Sequence, residues 1–316
     1  MAILVIHAGG TIGMKHSRRG FIPGDGVVEA AIERLRQSGE LRADVSVLAL
    51  NPLIDSANAT PADWSRIATT IADNHARFDG FVVTHGTDTL AFTAAALCFA
   101  LVGLSKPVLV TGSMLPLTVG GSDGVMNLSD ALDAAQLAPS GVWVQFAGKR
   151  MHGARVRKTH SSAMDAFTAP LGSAPPLVPG PELRLCPYGA PDIAILSMAP
   201  GVSGRVVGAA LNSCDGLVLR CSGSGTVPGM PELTNGLRHA QDRGAPIIAV
   251  SQCPEGRLAL GTYAAGAVLI DNGVVDGRDI TVEAAYAKLA HVLAYSDDPD
   301  VRRARLGRLL CGEASL

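Results

Sequence analysis

Short runs of branched apolar residues, each ending in a polar, glycine-bearing or acidic loop, recur along this chain and limit its fold more than any other feature. Residues 2–6 (Ala-Ile-Leu-Val-Ile) lead into His7-Ala8-Gly9-Gly10-Thr11-Ile12-Gly13-Met14. Residues 45–50 lead into a polar loop, 51–59, that offers Asp55, Ser56 and Asn58. Gly80–Thr84 leads into His85-Gly86-Thr87-Asp88-Thr89 and an apolar helical stretch, 90–103. Pro107–Thr111 leads into Gly112-Ser113-Met114-Leu115-Pro116 and then, past Ser122-Asp123-Gly124, into a helix reaching Ala138; Gly141–Phe146 is a fifth run. Runs this apolar, alternating with helices, belong to a parallel sheet covered on both faces. Open sheets of that kind bind ligands at the carboxyl ends of their strands, where these loops lie.

The intervening segments agree. Val27–Gln37 carries apolar Val27, Ala31, Ile32 and Leu35 at helical spacing. Thr60-Pro61 opens another helix, threonine as N-cap and proline in the first turn. Residues 170–191 then hold seven of the nineteen prolines, a linker composition. Beyond them the alternation resumes, with strands at 193–196, 217–219, 247–250 and 268–270 and helices at 205–212, 232–243, 282–294 and 301–310. The expected architecture is α/β in two domains. Residues 1–169 form the larger one, with a mostly parallel sheet; 170–191 form a linker; 192–316 form the smaller one.

Composition narrows the function. A net charge of −2 gives no electrostatic footprint for nucleic acid or an anionic membrane. Residues 2–6 lack a basic leader and a cleavage region, and the longest apolar stretch, 91–104, is too short to span a bilayer. The six cysteines form no CxxC pair, which reads as a reduced, cytoplasmic protein. No histidine spacing suits a metal, so no metal is expected. The glycines after the first strand fail the dinucleotide fingerprint, and Gly13-Met14-Lys15 does not complete a P-loop. Gly120-Gly121-Ser122-Asp123-Gly124 matches a nucleophile elbow in letters, but a loop separates it from its strand.

Thr11 sits among glycines that let other groups approach closely. The polar stretch 15–25 beside it reads as a lid loop. Thr87 or Asp88 would serve as a helix cap, yet His-Gly-Thr-Asp-Thr is richer than a cap requires. The basic residues at 149–158, Lys149, Arg150, Arg155, Arg157 and Lys158, read as a solvated hairpin for four of the five.

The two threonine-bearing loops together resemble those of the bacterial asparaginases. Ala8-Gly9-Gly10-Thr11-Ile12-Gly13 is similar to that family's first motif, and Val83-Thr84-His85-Gly86-Thr87-Asp88-Thr89-Leu90 to its second. Similarity continues through Lys106-Pro107-Val108-Leu109-Val110-Thr111-Gly112-Ser113, Ser122-Asp123-Gly124 with Asn127, Asp165-Ala166-Phe167, Ser251-Gln252-Cys253 and Asp279-Ile280-Thr281-Val282-Glu283-Ala284. The details lean to the cytoplasmic type I branch. The resemblance implies hydrolysis of L-asparagine to L-aspartate and ammonia, with no cofactor, in a homodimer or homotetramer. It implies that Thr11 is the nucleophile forming an acyl-enzyme, and that Thr87, Asp88 and Lys158 are the second catalytic group. It further implies that Asp55 and Ser56 grip the ends of the substrate, that Gly86 lies at the substrate site, and that Ser113 orients the amide through its carbonyl.

Departures from the family pattern open alternatives. Phe21, in Gly20-Phe21-Ile22-Pro23, stands where the family's lid carries a tyrosine, and His16 is the imidazole nearby on the lid. Ala57 replaces a polar residue. Arg220 and Cys253 match a second, regulatory asparagine site, but Arg157 and Thr226 depart from its lining, so cooperative activation by asparagine is not expected. A weakly catalytic amino-acid sensor and a glutaminase-type amidohydrolase are the competing readings.

Overall fold

Ile3, Val5 and Ile6 are fully buried, as a strand covered on both faces must be. They belong to β1 (Ala2–Gly9), which pairs in parallel with two neighbours. The computed structural model describes residues 1–18, 20–169 and 174–316, in two units, Met1–Pro187 and Tyr188–Leu316. Of the proline-rich stretch, residues 170–173 lie outside the described residues.

In the first unit β1 is followed by a hairpin of β2 (Met14–Ser17) and β3 (Gly20–Pro23), α1 (Val27–Gln37), β4 (Asp44–Ile54), α2 (Pro61–Asn74) and β5 (Gly80–Thr84). Then come α3 (Leu90–Ala100), β6 (Leu101–Val102), β7 (Pro107–Thr111), α4 (Gly124–Leu137), β8 (Gly141–Phe146) and β9 (Lys149–His152). Short ladders close the unit, β10 (Arg157–Lys158) with β11 (Phe167–Thr168), and β12 (Arg184–Leu185) with β6. The main sheet runs β4-β1-β5-β7-β8-β9, parallel except for β9. Ile3, Val5, Val82 and Leu109 pack with Val28, Ile32 and Leu35 of α1 and Leu128 and Leu132 of α4.

The second unit has β13 (Ile193–Ser197), α5 (Gly204–Ser213), β14 (Gly216–Cys221), α6 (Pro231–Asp242) and β15 (Ile247–Ser251). It continues with α7 (Ala267–Asp271), β16 (Val275–Asp276), α8 (Val282–Tyr295) and α9 (Pro299–Gly307). Its parallel sheet, β13-β14-β15-β16, buries Leu217 and Leu219 against Val207, Leu211, Leu233 and Leu237. No helix among the described residues is long and apolar enough to cross a membrane.

Four expectations change. The strand expected at 45–50 extends to Ile54, through Pro52. Proline is tolerated there because β4 is the edge of its sheet. The helix expected to 103 stops at Ala100, since Leu101–Val102 pairs with Arg184–Leu185 instead. The lid expected as a loop is a paired hairpin. The strand expected at 268–270 lies in α7; three apolar residues do not distinguish helix from strand.

The tail after α9 is held by a buried ion pair. Lys288 Nζ reaches Glu313 Oε1 at 2.7 Å, with side chains 5% and 0% exposed, and donates to the Arg308 carbonyl. Glu313 also accepts from the Leu310 and Cys311 amides. Burial alone raises its pKa, but the Lys288 charge and these donors outweigh it, and the carboxyl lies below its ordinary value of 4.5. A depressed carboxylate stabilises the fold above its ordinary pKa and loses that contribution as pH falls through the folded one. Glu313→Gln strands the buried lysine, and a loss of about 3–5 kcal/mol is expected at neutral pH. In denaturant melts across pH, the gap between wild type and variant stays constant near neutrality and closes below 4.5.

Candidate active site

The neighbours β4, β1, β5 and β7 are parallel, so the loops after all four leave the same edge of the sheet. Thr11 begins a one-turn 3-10 helix, Thr11–Gly13, directly after β1 and is half-buried. Gly10 precedes it at φ 91°, in the left-handed region. A Cβ on Gly10 would lie 2.2 Å from the Gly86 amide nitrogen. The two glycine-threonine turns therefore touch backbone to backbone. A Cβ on Gly86 would in turn lie 2.3 Å from Ser56 Oγ, so the loop after β4 joins the same contact.

Ser56 is 7% exposed, and its carbonyl accepts from Thr89 Oγ1 at 2.7 Å. Asp55 is exposed and caps the short turn Ser56–Asn58, accepting from the Ala57 amide at 3.2 Å and from Asn58 Nδ2 at 2.8 Å. Ser113 is fully buried, and its hydroxyl donates to the Leu115 carbonyl at 2.6 Å. Asp123 accepts from the Met114 and Leu115 amides and is held by Asn127 Nδ2 at 3.0 Å. Ser122 donates to the Leu115 carbonyl and accepts from the Gly124 amide, so it shapes a turn and is no elbow nucleophile.

Lys158, on β10, lies 2.9 Å from Thr87 Oγ1 and 2.8 Å from Asp88 Oδ1, across some seventy residues of sequence. Its side chain is 18% exposed and that of Asp88 is 69% exposed. Neither Thr87 nor Asp88 caps a helix: Thr89 occupies the N-cap of α3, without a side-chain cap. Of the remaining basic residues, Lys149 and Arg150 are exposed on the β8–β9 hairpin, as expected, Lys149 pairing with Asp165 and Arg150 lying over Trp143 at 4.9 Å, whereas Arg155 and Arg157 are half-buried. Phe21, on β3, is 44% exposed and meets His16, its register partner, edge to face at 5.7 Å.

Two histidines went unassigned in the sequence. His85 is buried, and because a carbonyl only accepts, its Nδ1 carries the proton donated to Gly86 O at 2.9 Å. Its Nε2 is then the acceptor for the Thr93 hydroxyl at 3.1 Å. Burial lowers its pKa, although the Gly86 carbonyl opposes the shift, and keeps the ring neutral. His7, on β1, is 3% exposed and lies 2.7 Å from Thr84 Oγ1 through Nδ1. The sequence signal for both was an imidazole at the carboxyl end of an otherwise apolar strand.

The family model for the asparaginase N-terminal domain matches residues 2–178, and that for the glutaminase/asparaginase C-terminal domain matches 192–305. The chain is 36% identical to L-asparaginase 1 of Escherichia coli over 99% of its own length and 97% of that protein's. It is 31% identical to the L-asparaginase of Thermococcus kodakarensis, covering 99% of both. The structure of L-asparaginase I from Vibrio cholerae superposes with a TM-score of 0.90 at 34% identity, over 100% of this chain and 99% of that one.

Replacing Gly10 by alanine puts a Cβ inside the contact on which the two threonine turns meet, at a φ that costs about 1–2 kcal/mol without glycine. Displacing reacting groups by about 1 Å costs roughly a hundredfold. Gly10→Ala is expected to lower kcat/KM at least that far, measured as ammonia release from asparagine.

Proposed function

The chain belongs to the asparaginase family of amidohydrolases, and from that premise we propose that it converts L-asparagine to L-aspartate and ammonia with Thr11 as nucleophile. Thr11 Oγ1 attacks the side-chain amide carbon, the carbon–nitrogen bond breaks, and the amide nitrogen leaves as ammonia after taking a proton. Water then cleaves the acyl-enzyme ester and releases aspartate. A hydroxyl needs assistance from a base or nearby positive charge to react. Thr87, Asp88 and Lys158 form the second catalytic group and move the protons. Backbone N–H groups of the two glycine-threonine turns, Gly86 of the second among them, stabilise the oxyanion. Asp55 and Ser56 hold the α-amino and α-carboxylate ends, and the Ser113 carbonyl orients the amide.

One observation carries the reading: Lys158 Nζ bonds both Thr87 and Asp88, on a loop in backbone contact with the turn that bears Thr11. An ammonia assay across L-asparagine, L-glutamine and their D-forms tests it. One substrate methylene is worth only about 1–3 kcal/mol, so the preference for asparagine is a matter of degree. The six cysteines are free, in keeping with the reduced cytoplasm of the type I branch, and a homodimer or homotetramer is proposed with it.

Thr11→Ala is expected to abolish turnover while leaving the fold intact. Thr87→Val and Lys158→Met each cost at least about a hundredfold, as removal of a proton-transfer group does. Steady-state ammonia release checks all three. Thr11→Ala activity within about tenfold of wild type is incompatible with a nucleophile at that position.

Phe21 favours a second reading, a weakly catalytic sensor. Its ring lies on the hairpin that follows Thr11, but it has no hydroxyl to give or take a proton. The proposed enzyme is active yet slowed, and Phe21→Tyr is expected to raise kcat about tenfold with less change in KM, the lower range for one positioned proton-transfer group. Kinetics of wild type, Phe21→Tyr and His16→Ala at several pH values decide it. A tyrosine variant no faster than wild type, with His16→Ala unchanged, makes the lid hydroxyl dispensable here.

A further inference from the structure

His7 is outside the constellation just described, yet it lies directly beneath it. It is the last residue of β1 that pairs with β5, opposite Thr84, and its Nδ1 meets the Thr84 hydroxyl at 2.7 Å. The other edge of the ring faces the turn that begins with Thr11. A Cβ built on Gly13 would lie 2.5 Å from His7 Cε1 and 2.6 Å from Nε2. The imidazole therefore presses on bare backbone and fills the space a side chain at Gly13 would need. His7 Nε2 is buried and has no hydrogen-bond partner among the described residues. A buried ring nitrogen without a partner costs free energy, so hydrogen bonding does not account for that edge of the ring. Packing against the turn does.

The turn is otherwise held by its backbone. The Gly13 amide donates to the Gly10 carbonyl at 3.1 Å, and the Gly13 carbonyl accepts from Gly24 at 2.9 Å, where the β2–β3 hairpin returns. His7 thus touches the residue that closes both the Thr11 turn and the root of the hairpin carrying Phe21. Thr84 fixes one edge of the ring, and the other edge fixes Gly13.

We propose that His7 is a positioning residue, whose ring, anchored by Thr84, sets the height of the Thr11–Gly13 turn and so the aim of the Thr11 hydroxyl. The proposal rests on the reading of Thr11 as nucleophile. It acts through the turn and touches no substrate, so its loss acts on kcat and leaves substrate affinity alone.

A size exchange tests it. Asparagine at position 7 keeps a polar atom where Nδ1 meets Thr84 but vacates the edge that faces Gly13. His7→Asn is expected to lower kcat about ten- to a hundredfold, the scale of a misplacement of up to 1 Å, with KM within about twofold. Gly13→Ala drives a methyl into the ring and is expected to lower kcat similarly. In the double variant His7→Asn/Gly13→Ala the methyl enters the vacated space, and kcat recovers to within about threefold of wild type. Should Gly13→Ala fail to fold, restoration of a folded, active protein by His7→Asn is the same positive result. A His7→Asn variant at wild-type kcat, or a double variant showing the two losses combined, overturns the proposal. Thr11→Ala, assayed alongside, separates this from the premise. An inactive Thr11→Ala with no size-exchange rescue refutes His7 alone. An active Thr11→Ala refutes the nucleophile, whatever His7 does.

Discussion

The contact between Gly10 and Gly86 is the constraint on which the site depends. Each residue precedes a threonine, and each lies at the carboxyl end of a strand, β1 or β5, that pairs with the other. Neighbouring strands in a sheet run about 4.8 Å apart. Loops that leave such strands ordinarily diverge, because their side chains need room. Here the approach is so close that a Cβ on Gly10 would sit 2.2 Å from a backbone nitrogen. Only the absence of side chains at both positions lets the two threonine-bearing turns meet backbone to backbone. The third loop, after β4, enters by the same device, with Ser56 occupying the place where Gly86 has no Cβ.

Below these loops lies a polar rung across three adjacent strands. His7, Thr84 and Thr111 are register partners on β1, β5 and β7. His7 meets Thr84, and Thr111 donates to the Gln145 carbonyl on β8. Asn127 binds the Gly112 carbonyl, Asp123 and the Ala147 amide, and so ties the loop after β7 to the one after β8. His85 fixes the Gly86 carbonyl, and with it the peptide that links Gly86 to Thr87. Polar groups this deep are tolerated when they are hydrogen-bonded, and all the bonds named here help to hold a single arrangement, with His7 Nε2 the exception left to packing. A site whose parts must be placed to a fraction of an ångström gains from such support.

Much of this fold was legible in the sequence, because runs apolar on both faces have few places to go. What escaped depends on partners distant in the chain. Nothing in residues 45–54 reveals that β4 is an edge strand able to carry Pro52. Nothing in residues 90–103 announces a strand eighty residues on that pairs with its end. The hairpin Met14–Ser17 with Gly20–Pro23 is largely exposed and sets Phe21 and Ile22 side by side, so it lacks the alternation that marks a half-buried strand. The same limit applies to the site. Thr87 and Asp88 look locally like a helix cap, and Lys158 like one more cation in a basic run. Their union is a tertiary fact, which the residues alone did not supply and only the family resemblance suggested.

Two lysine–carboxylate pairs in the chain show how environment separates structural from chemical roles. Lys288 and Glu313 are almost wholly excluded from water, and the carboxylate is further satisfied by backbone amides. Stranding either charge there is costly, so this pair belongs to the fold. Lys158 and Asp88 are at the same distance to within 0.1 Å, yet the Asp88 side chain is 69% exposed. Solvent screens such a pair, and exposed pairs contribute about 0–1 kcal/mol at most. Stability is therefore a poor reason for holding Lys158 in place on its two-residue strand. What distinguishes its position is the second bond, to the hydroxyl of Thr87, which is 6% exposed. A lysine screened from solvent, bonded at once to a carboxylate open to water and to a buried hydroxyl, links the interior of the proposed site to its exterior. That is the placement the proposed proton transfer requires, and a stabilising ion pair has no need of it.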